Sequence, residues 1–191
     1  MDGTLTRARG VPTAIAVGVL AGLLAATLFA VLPSPWDALA NTSALWGLVP
    51  FAMASRSVNE RGVLLGVASM LALVGSWIVL APSIISGREV LVFLVVGLAA
   101  GAVCGAAGGA VRGSRRVIGT IVMAGLVLGE AVYGLGVVGG PQWLVEAAIG
   151  VAVVLLVCRT TTDRARAGLG SVAVAAGSFG LYALYDAILA A

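Results

Sequence analysis

Glu130 is the residue of this 191-residue sequence whose position says most about chemistry. It lies within an apolar run over residues 117–138, just outward of the middle of a predicted membrane helix, and Tyr133 follows one turn later. A carboxyl inside a membrane helix costs about 2–3 kcal/mol even on the insertion scale, so we expect Glu130 to face the bundle interior. No arginine is predicted at its depth. Glu130 is therefore either protonated and hydrogen-bonded to a neighbouring Tyr, Asn or Ser for packing specificity, or bound to a group that the sequence does not supply.

Other polar and aromatic residues are predicted at the same, outer side of the membrane. Acidic groups beside aromatic rings suit a cationic or amine-bearing small molecule, through ion pairing and cation–π contact. We therefore expect an outward-facing cavity with an inner floor of small apolar residues. Glu146 and Asp186 carry less of this argument, because a carboxyl at the outer surface can be hydrated. The predicted ligand-binding residues are Glu130, Tyr133, Asn41, Trp46, Tyr182, Tyr185 and Asp186.

The composition predicts that the elements carrying these residues are transmembrane helices. Hydrophobic residues make up 61% of the chain and charged residues 10%, and its mean hydropathy is +1.13. Soluble domains have about 45–50% apolar and about 25% charged residues. A span needs roughly 20 mostly apolar residues. The sequence thus predicts one all-α transmembrane domain over residues 1–191, with seven spans at about 11–32, 37–55, 62–82, 90–111, 117–138, 142–158 and 168–190.

The arginines indicate the orientation of these spans. With a cytoplasmic N-terminus, every arginine except Arg88 falls on the inner side, as the positive-inside rule requires. A six-span count would drop one short segment and would place several arginines on the wrong side. We therefore predict a multi-pass protein of the bacterial cytoplasmic membrane, with its N-terminus inside and its C-terminus outside.

Small residues recur at every fourth position on two of the predicted helices. Such stripes let helix backbones approach closely, since lipid gives no hydrophobic drive for helices to associate. One interpretation is packing within the bundle. The other is a docking face for a membrane partner subunit or a second copy of the chain. The two stripes are Ala14, Gly18, Gly22, Ala26 and Ala30, and Gly97, Gly101, Gly105 and Gly109.

Several classes of function are excluded or disfavoured by missing residue types. The sequence has neither histidine nor lysine, which excludes a retinal Schiff base, histidine-ligated haem and histidine proton relays. No Walker motif is present, and no two carboxylates lie three or four residues apart within one span. Cys104 and Cys158 occur singly in apolar runs and are interpreted as packing residues. We expect no catalysis, no cofactor, no metal site and no nucleic-acid partner.

Two family resemblances follow from particular segments. The segment over residues 36–46, WDALANTSALW, resembles the signature of an actinobacterial family of small multi-pass proteins that is known only as a domain of unknown function. The stretches 97–109 and 128–133 also resemble that family, and the likeness covers roughly residues 11–160. It assigns no activity, but it marks Asn41, Trp46, Glu130 and Tyr133 as the positions of interest.

The second, more distant resemblance is to the substrate-binding S components of energy-coupling-factor vitamin transporters. Those proteins are small, lack ATPase motifs and bind ligand in their outward-facing half. Their first helix carries a stripe of alanines that contacts a coupling subunit, and the stripe from Ala14 to Ala30 would correspond to it. The departure is the number of spans, which is six in S components and seven here.

These observations predict a membrane protein that binds a small ligand from outside, as a transporter or as the membrane subunit of one. The alternative is a structural or accessory membrane subunit without a ligand, whose small-residue stripes pack a partner and whose polar residues only tie helices together.

Overall fold

The computed structural model of the chain describes residues 10–56, 61–80 and 86–190, and this part is helical, without β-strands. A 3-10 helix at Trp36–Asn41 precedes α2, and a π-helical turn at Gly134–Val138 continues α5. The α-helices of the described residues are α1 (Gly10–Val31), α2 (Ser43–Ala54), α3 (Gly62–Leu80), α4 (Gly87–Ala110), α5 (Arg116–Tyr133), α6 (Gln142–Val157) and α7 (Thr161–Ala190).

Most of these helices have the length and composition of membrane spans. Among the described residues, five segments are long and apolar enough to cross a membrane, namely Gly10–Val31, Gly62–Leu80, Gly87–Ala110, Arg116–Val138 and Thr161–Ile188. The apolar helices α2 and α6 are shorter. The predicted all-α, membrane-type architecture is therefore confirmed, while the count of seven spans stays a prediction.

Two helices differ in extent from the predicted segments, and local backbone chemistry explains both differences. The segment 37–55 is not one helix, because Thr42 has extended backbone angles (φ −78°, ψ 129°) that end the 3-10 helix and start α2 afresh. The last segment begins at Thr161, well before residue 168. The Thr160 hydroxyl accepts the N–H of Asp163, and Asp163 lies in the first turn, where a helix favours negative charge.

Helix α3 packs between α1 and α4 through glycines. A Cβ atom added to Gly18 would lie 2.2 Å from the carbonyl oxygen of Ser69, and one added to Gly22 would lie 2.3 Å from that of Leu73. These successive contacts run in the same direction along both chains, so α1 and α3 are parallel. The first stripe is thus used within the bundle, with Ala14, Gly18 and Gly22 buried, Ala26 partly buried and Ala30 exposed.

The second stripe packs on the other side of α3. A Cβ on Gly66 would lie 2.3 Å from the carbonyl oxygen of Gly101, and one on Gly62 would lie 2.7 Å from that of Gly105. The order of these contacts makes α3 and α4 antiparallel. Gly97, Gly101 and Gly105 are buried and Gly109 is partly buried. The interpretation of both stripes as packing surfaces therefore agrees with the structure.

Helix α5 is the centre of the other half of the bundle. Its Gly129 contacts Ser178 of the parallel helix α7, and its Leu128 contacts Gly150 of the antiparallel helix α6. Next to α5, Gly134 lies against the ring of Trp143, which leaves no room for a larger residue. The alternating directions bring the end of α5, the start of α6 and the end of α7 to one end of the bundle.

Arginines stabilise helix ends at the opposite end of the bundle. Arg116 donates a hydrogen bond to the carbonyl oxygen of Val111, just after α4. Arg164 donates to the carbonyl oxygens of Cys158 and Leu155 at the end of α6. A cation near the last carbonyls of a helix is favourable for both hydrogen bonding and the helix dipole. The N-terminal arginines at positions 7 and 9 lie outside the described residues.

Candidate functional site

Glu130 joins three helices at the end of the bundle that is remote from these arginines. It is 8% exposed, and its Oε2 atom accepts the backbone N–H of Ala44 at 2.5 Å and the hydroxyl of Tyr182 at 3.0 Å. Ala44 lies in the first turn of α2, where backbone N–H groups have no partner within the helix. Thr42 precedes this turn but its side chain does not cap it. Glu130 therefore caps α2 from a distant part of the chain, where the helix dipole favours a negative charge.

Glu146 is the second carboxyl of this site, and it is buried although the sequence left open whether it is hydrated at the outer surface. Its exposed fraction is 0%. The side chain lies beside the carboxyl of Glu130 and the hydroxyl of Thr42. Within the described part of the chain, neither of its carboxyl oxygens makes a hydrogen bond of full geometry, so these two neighbours interact with it only through weaker contacts. A carboxylate buried with so little hydrogen bonding is strongly unfavourable, and a proton or a cation at the site would neutralise it.

Gln142 adds another acceptor atom to the same face of α6. It is 1% exposed and one helical turn before Glu146, so both side chains lie on one face of the helix. Its Nε2 donates to the carbonyl oxygen of Gly139 at 3.1 Å, while its Oε1 has no partner among the described residues. Gly140 has a φ of +107°, and a Cβ there would lie 2.2 Å from Oε1 of Gln142. Only glycine suits this turn, for both reasons.

Tyrosines and an aspartate extend the site towards the end of α7. The Tyr133 hydroxyl donates a hydrogen bond to the carboxylate of Asp186. The Tyr133 ring packs against Phe179 and Tyr182, with ring centroids 5.4 and 5.9 Å apart. Asp186 is exposed and Tyr182 partly buried. The structure thus brings Glu130, Tyr133, Tyr182 and Asp186 together, as the sequence predicted.

The remaining predicted site residues lie elsewhere. Trp46 is buried in an aromatic cluster with Trp77 at a centroid distance of 5.4 Å, and its Nε1 donates to the carbonyl oxygen of Ala40. It follows Ala44 by two positions on α2, which turns its side chain to nearly the opposite side of the helix. Asn41 is exposed at the end of the 3-10 helix. The side chain of Tyr185 lies outside the described part of the structure.

A signal for Glu146 was present in the sequence. Gln142 and Glu146 are followed at the same spacing by Gly150 and Val154, and all four residues are buried. The helical repeat keeps every fourth residue on one side, so Gln142 and Glu146 share a face of α6 with the small and apolar residues Gly150 and Val154. A face that includes Gly150 and Val154 is expected to be buried, and Glu146 with it. Composition alone could not show which face of α6 turns inward.

This fold and site define an all-helical protein of the multi-pass membrane type, with two carboxyl groups buried at one end of the bundle. The chain belongs to a family described as a family of unknown function (DUF6518), whose model matches residues 1–188. The predicted resemblance to an uncharacterised family is thereby confirmed. No curated protein and no solved structure matches the chain.

Proposed function

We propose that the protein binds a small cation at the pair Glu130 and Glu146, as a transporter or as the membrane subunit of one. The observation that carries this proposal is the position of Glu146. Its carboxyl is completely buried beside a second carboxyl and the Thr42 hydroxyl, and neither of its oxygens makes a hydrogen bond of full geometry in the described part of the chain. Burying an ionisable group within a membrane helix has a high free-energy cost, and such a group generally marks an ion or substrate pathway.

Electrostatics favours a positive occupant. Two neighbouring carboxyl groups in an apolar interior can both be negatively charged only if a cation lies beside them. Without a cation, one of the two has to be protonated. Arg116 and Arg164 are engaged at the other end of the bundle, where they bind the carbonyls that end α4 and α6. A cation from solution would supply the compensating charge.

The proposal includes the topology inferred from the charges. Seven spans with a cytoplasmic N-terminus, in the cytoplasmic membrane of an actinobacterium, would place the carboxyl pair near the outer surface. The parallel packing of α1 with α3 and the antiparallel packing of α3 with α4 support alternating spans. The distribution of arginines along the sequence supports the orientation.

The alternative is an accessory membrane subunit in which the polar residues only connect helices. It is favoured by the capping of α2 by Glu130, which would stabilise the bundle without any ligand. A relation to S components receives less support, since Ala14, Gly18 and Gly22 are buried and the two glycines contact α3. A coupling subunit would have to use another surface of α1.

A binding experiment separates the two functions. The purified protein is titrated in nonionic detergent with Na⁺, K⁺, Li⁺ and methylammonium at constant ionic strength, and binding is followed by calorimetry and thermal unfolding. We expect saturable binding of at least one cation, and stabilisation of about 2.7 kcal/mol when its concentration is 100 times Kd. Binding should be lost in Glu146→Gln. Absence of binding for all four probes would favour the accessory subunit.

Glu89→Gln is the matched control for this experiment. Glu89 lies in the first turn of α4, where its carboxylate accepts the N–H of Ser86 in a capping box. Glutamine preserves that role, because either residue can complete a capping box. The control makes the same glutamate-to-glutamine change away from the carboxyl pair, so equal loss of binding in both variants would contradict a specific site.

A further inference from the structure

Six arginines lie together at the end of the bundle that is remote from the carboxyl pair. They belong to two short stretches, the α4–α5 segment (residues 111–117) and the α6–α7 segment (residues 158–167), which carry a single acidic residue, Asp163. Arg116, the first residue of α5, is 14 residues before Glu130, which is about 21 Å along the helix axis. We call these residues the arginine cluster, and it comprises Arg112, Arg115, Arg116, Arg159, Arg164 and Arg166.

Helix packing brings the two segments together. The buried residues Cys158 and Ala167 of the α6–α7 segment belong to one apolar cluster, and Val117 of the α4–α5 segment packs against it. The thiol of Cys158 also donates to the hydroxyl of Thr120 on α5, at 3.7 Å. An arginine directly precedes or follows Val117, Cys158 and Ala167 along the chain. Arginines of both segments therefore surround the same small apolar cluster.

Most of the arginine cluster is not used in holding the bundle together. Arg116 and Arg164 bind carbonyl oxygens at the ends of α4 and α6. The other four side chains are exposed, and their guanidinium groups make no hydrogen bond or ion pair within the described part of the chain. These four are Arg112 and Arg115 on the α4–α5 segment, and Arg159 and Arg166 on the α6–α7 segment.

Phosphate is the anionic group that suits this surface. A guanidinium group binds phosphate oxygens through two parallel N–H groups, which gives arginine its preference for phosphate. Each segment has two arginines without a partner, so each can bind one phosphate. The single carboxylate of Asp163 leaves most of the positive charge uncompensated. An occupant with two negative charges is therefore favoured over one with a single charge.

Exposed aliphatic side chains beside the arginine cluster favour a lipid over a soluble anion. The cluster lies where the apolar segments Arg116–Val138 and Thr161–Ile188 begin, and the phosphates of a bilayer lie just outside its hydrocarbon core. Further along these helices, Ile118, Leu169 and Val172 are 57%, 77% and 66% exposed. A phospholipid can bind the arginines through its phosphates and cover these side chains with its acyl chains.

We propose that the arginine cluster binds an anionic phospholipid with two phosphate groups, one at each segment. Basic surfaces between membrane helices recognise head groups of this kind. The surface is separate from the proposed cation site, and neither depends on the other. One head group that spans both segments stabilises the contact between the starts of α5 and α7. In the proposed orientation, this lipid belongs to the cytoplasmic leaflet.

The test compares lipids on the purified intact protein in nonionic detergent. Diphosphatidylglycerol, phosphatidylglycerol and phosphatidylcholine are titrated separately, and native mass spectrometry counts the lipid molecules bound. We expect the tightest binding for diphosphatidylglycerol and the weakest for phosphatidylcholine. The double variant Arg112→Gln/Arg159→Gln should bind diphosphatidylglycerol about thirtyfold more weakly, since each arginine near anionic lipid contributes about a factor of five.

Arg88→Gln is the matched control. Arg88 lies in the first turn of α4, at the other end of the bundle, where it donates a hydrogen bond to the carbonyl oxygen of Ile188. Its replacement should leave lipid binding unchanged. In detergent without lipid, the double variant should keep the native Tm, because the side chains of Arg112 and Arg159 are exposed and have no partner among the described residues. An unchanged Tm separates weaker lipid binding from misfolding.

Several results would overturn the proposal. Equal affinity for phosphatidylcholine and diphosphatidylglycerol would show that charge is not recognised, and equal affinity for the two anionic lipids would rule out a head group bound at both segments. Unchanged binding in the double variant, or equal loss in Arg88→Gln, would place the lipid elsewhere. Sodium pyrophosphate or a polyglutamate peptide that binds as tightly as the lipid would identify a soluble anion or an acidic protein as the occupant. None of these results changes the interpretation of cation binding at Glu130 and Glu146.

Discussion

Replacing the two buried carboxyls by methionine should change stability in opposite directions. Methionine is similar in length to glutamate, and it removes the polar atoms without creating a large cavity. Glu130→Met removes two hydrogen bonds to a carboxylate, from the N–H of Ala44 and the hydroxyl of Tyr182. Hydrogen bonds to charged groups contribute about 1.5–3 kcal/mol each, so we expect a loss of about 3–6 kcal/mol.

Glu146→Met should instead stabilise the protein. Its carboxyl oxygens make no hydrogen bond of full geometry in the described part of the chain, so the substitution loses only the weaker contact with the Thr42 hydroxyl. It removes the cost of burying a polar group without partners, which is about 1–3 kcal/mol. A function that depends on cation binding would be lost at the same time, as expected where activity requires an unfavourable group.

Thermal unfolding in nonionic detergent without Na⁺, followed by circular dichroism, measures this difference. For a chain of this size, 1 kcal/mol shifts Tm by about 2–4 °C. We therefore expect Tm to fall by roughly 10 °C in Glu130→Met and to rise by a few degrees in Glu146→Met. If both variants lose the same stability, Glu146 is a structural hydrogen-bonding group, and the argument from its unpaired oxygens is refuted.

Three further predictions concern packing, the site and topology. Gly66→Ala should lower the unfolding free energy by about 1–3 kcal/mol, because the added Cβ would lie 2.3 Å from a backbone oxygen of α4. Gly75→Ala is the control on the same helix: its added Cβ would meet nothing within 4 Å, so the change should be neutral or stabilising. Equal effects on Tm would contradict the close approach of α3 and α4. Tyr182→Phe removes one hydrogen bond from the capping carboxylate and should lower stability by about 1.5–3 kcal/mol, measured in the same way. An unchanged Tm would show that this hydrogen bond contributes nothing. In intact cells, a membrane-impermeant maleimide should label Asp37→Cys but not Arg115→Cys, and the reverse pattern would invert the predicted topology.

Much of the fold could be predicted from composition and residue spacing. A chain with this fraction of apolar residues can satisfy its backbone in a membrane only as helices or a closed barrel, and its apolar runs have helical length. The every-fourth spacing of Gly18 and Gly22 indicated close helix contacts, although it could not name α3 as the partner. The position of Glu130 inside an apolar run identified it as a buried group, because lipid excludes an unpaired carboxyl.

Only the tertiary structure decided which residues share the site with Glu130. Glu146 is close to the start of its helix, and such a position is hydrated or buried depending on how α6 is rotated against α5. Trp46 and Ala44 are two residues apart, yet they face different clusters, because a helix turns by about 100° per residue. Depth in the membrane can be read from the sequence, since it follows from counting along a span. The direction of each side chain depends on contacts between distant helices, and these set the carboxyl of Glu146 beside that of Glu130.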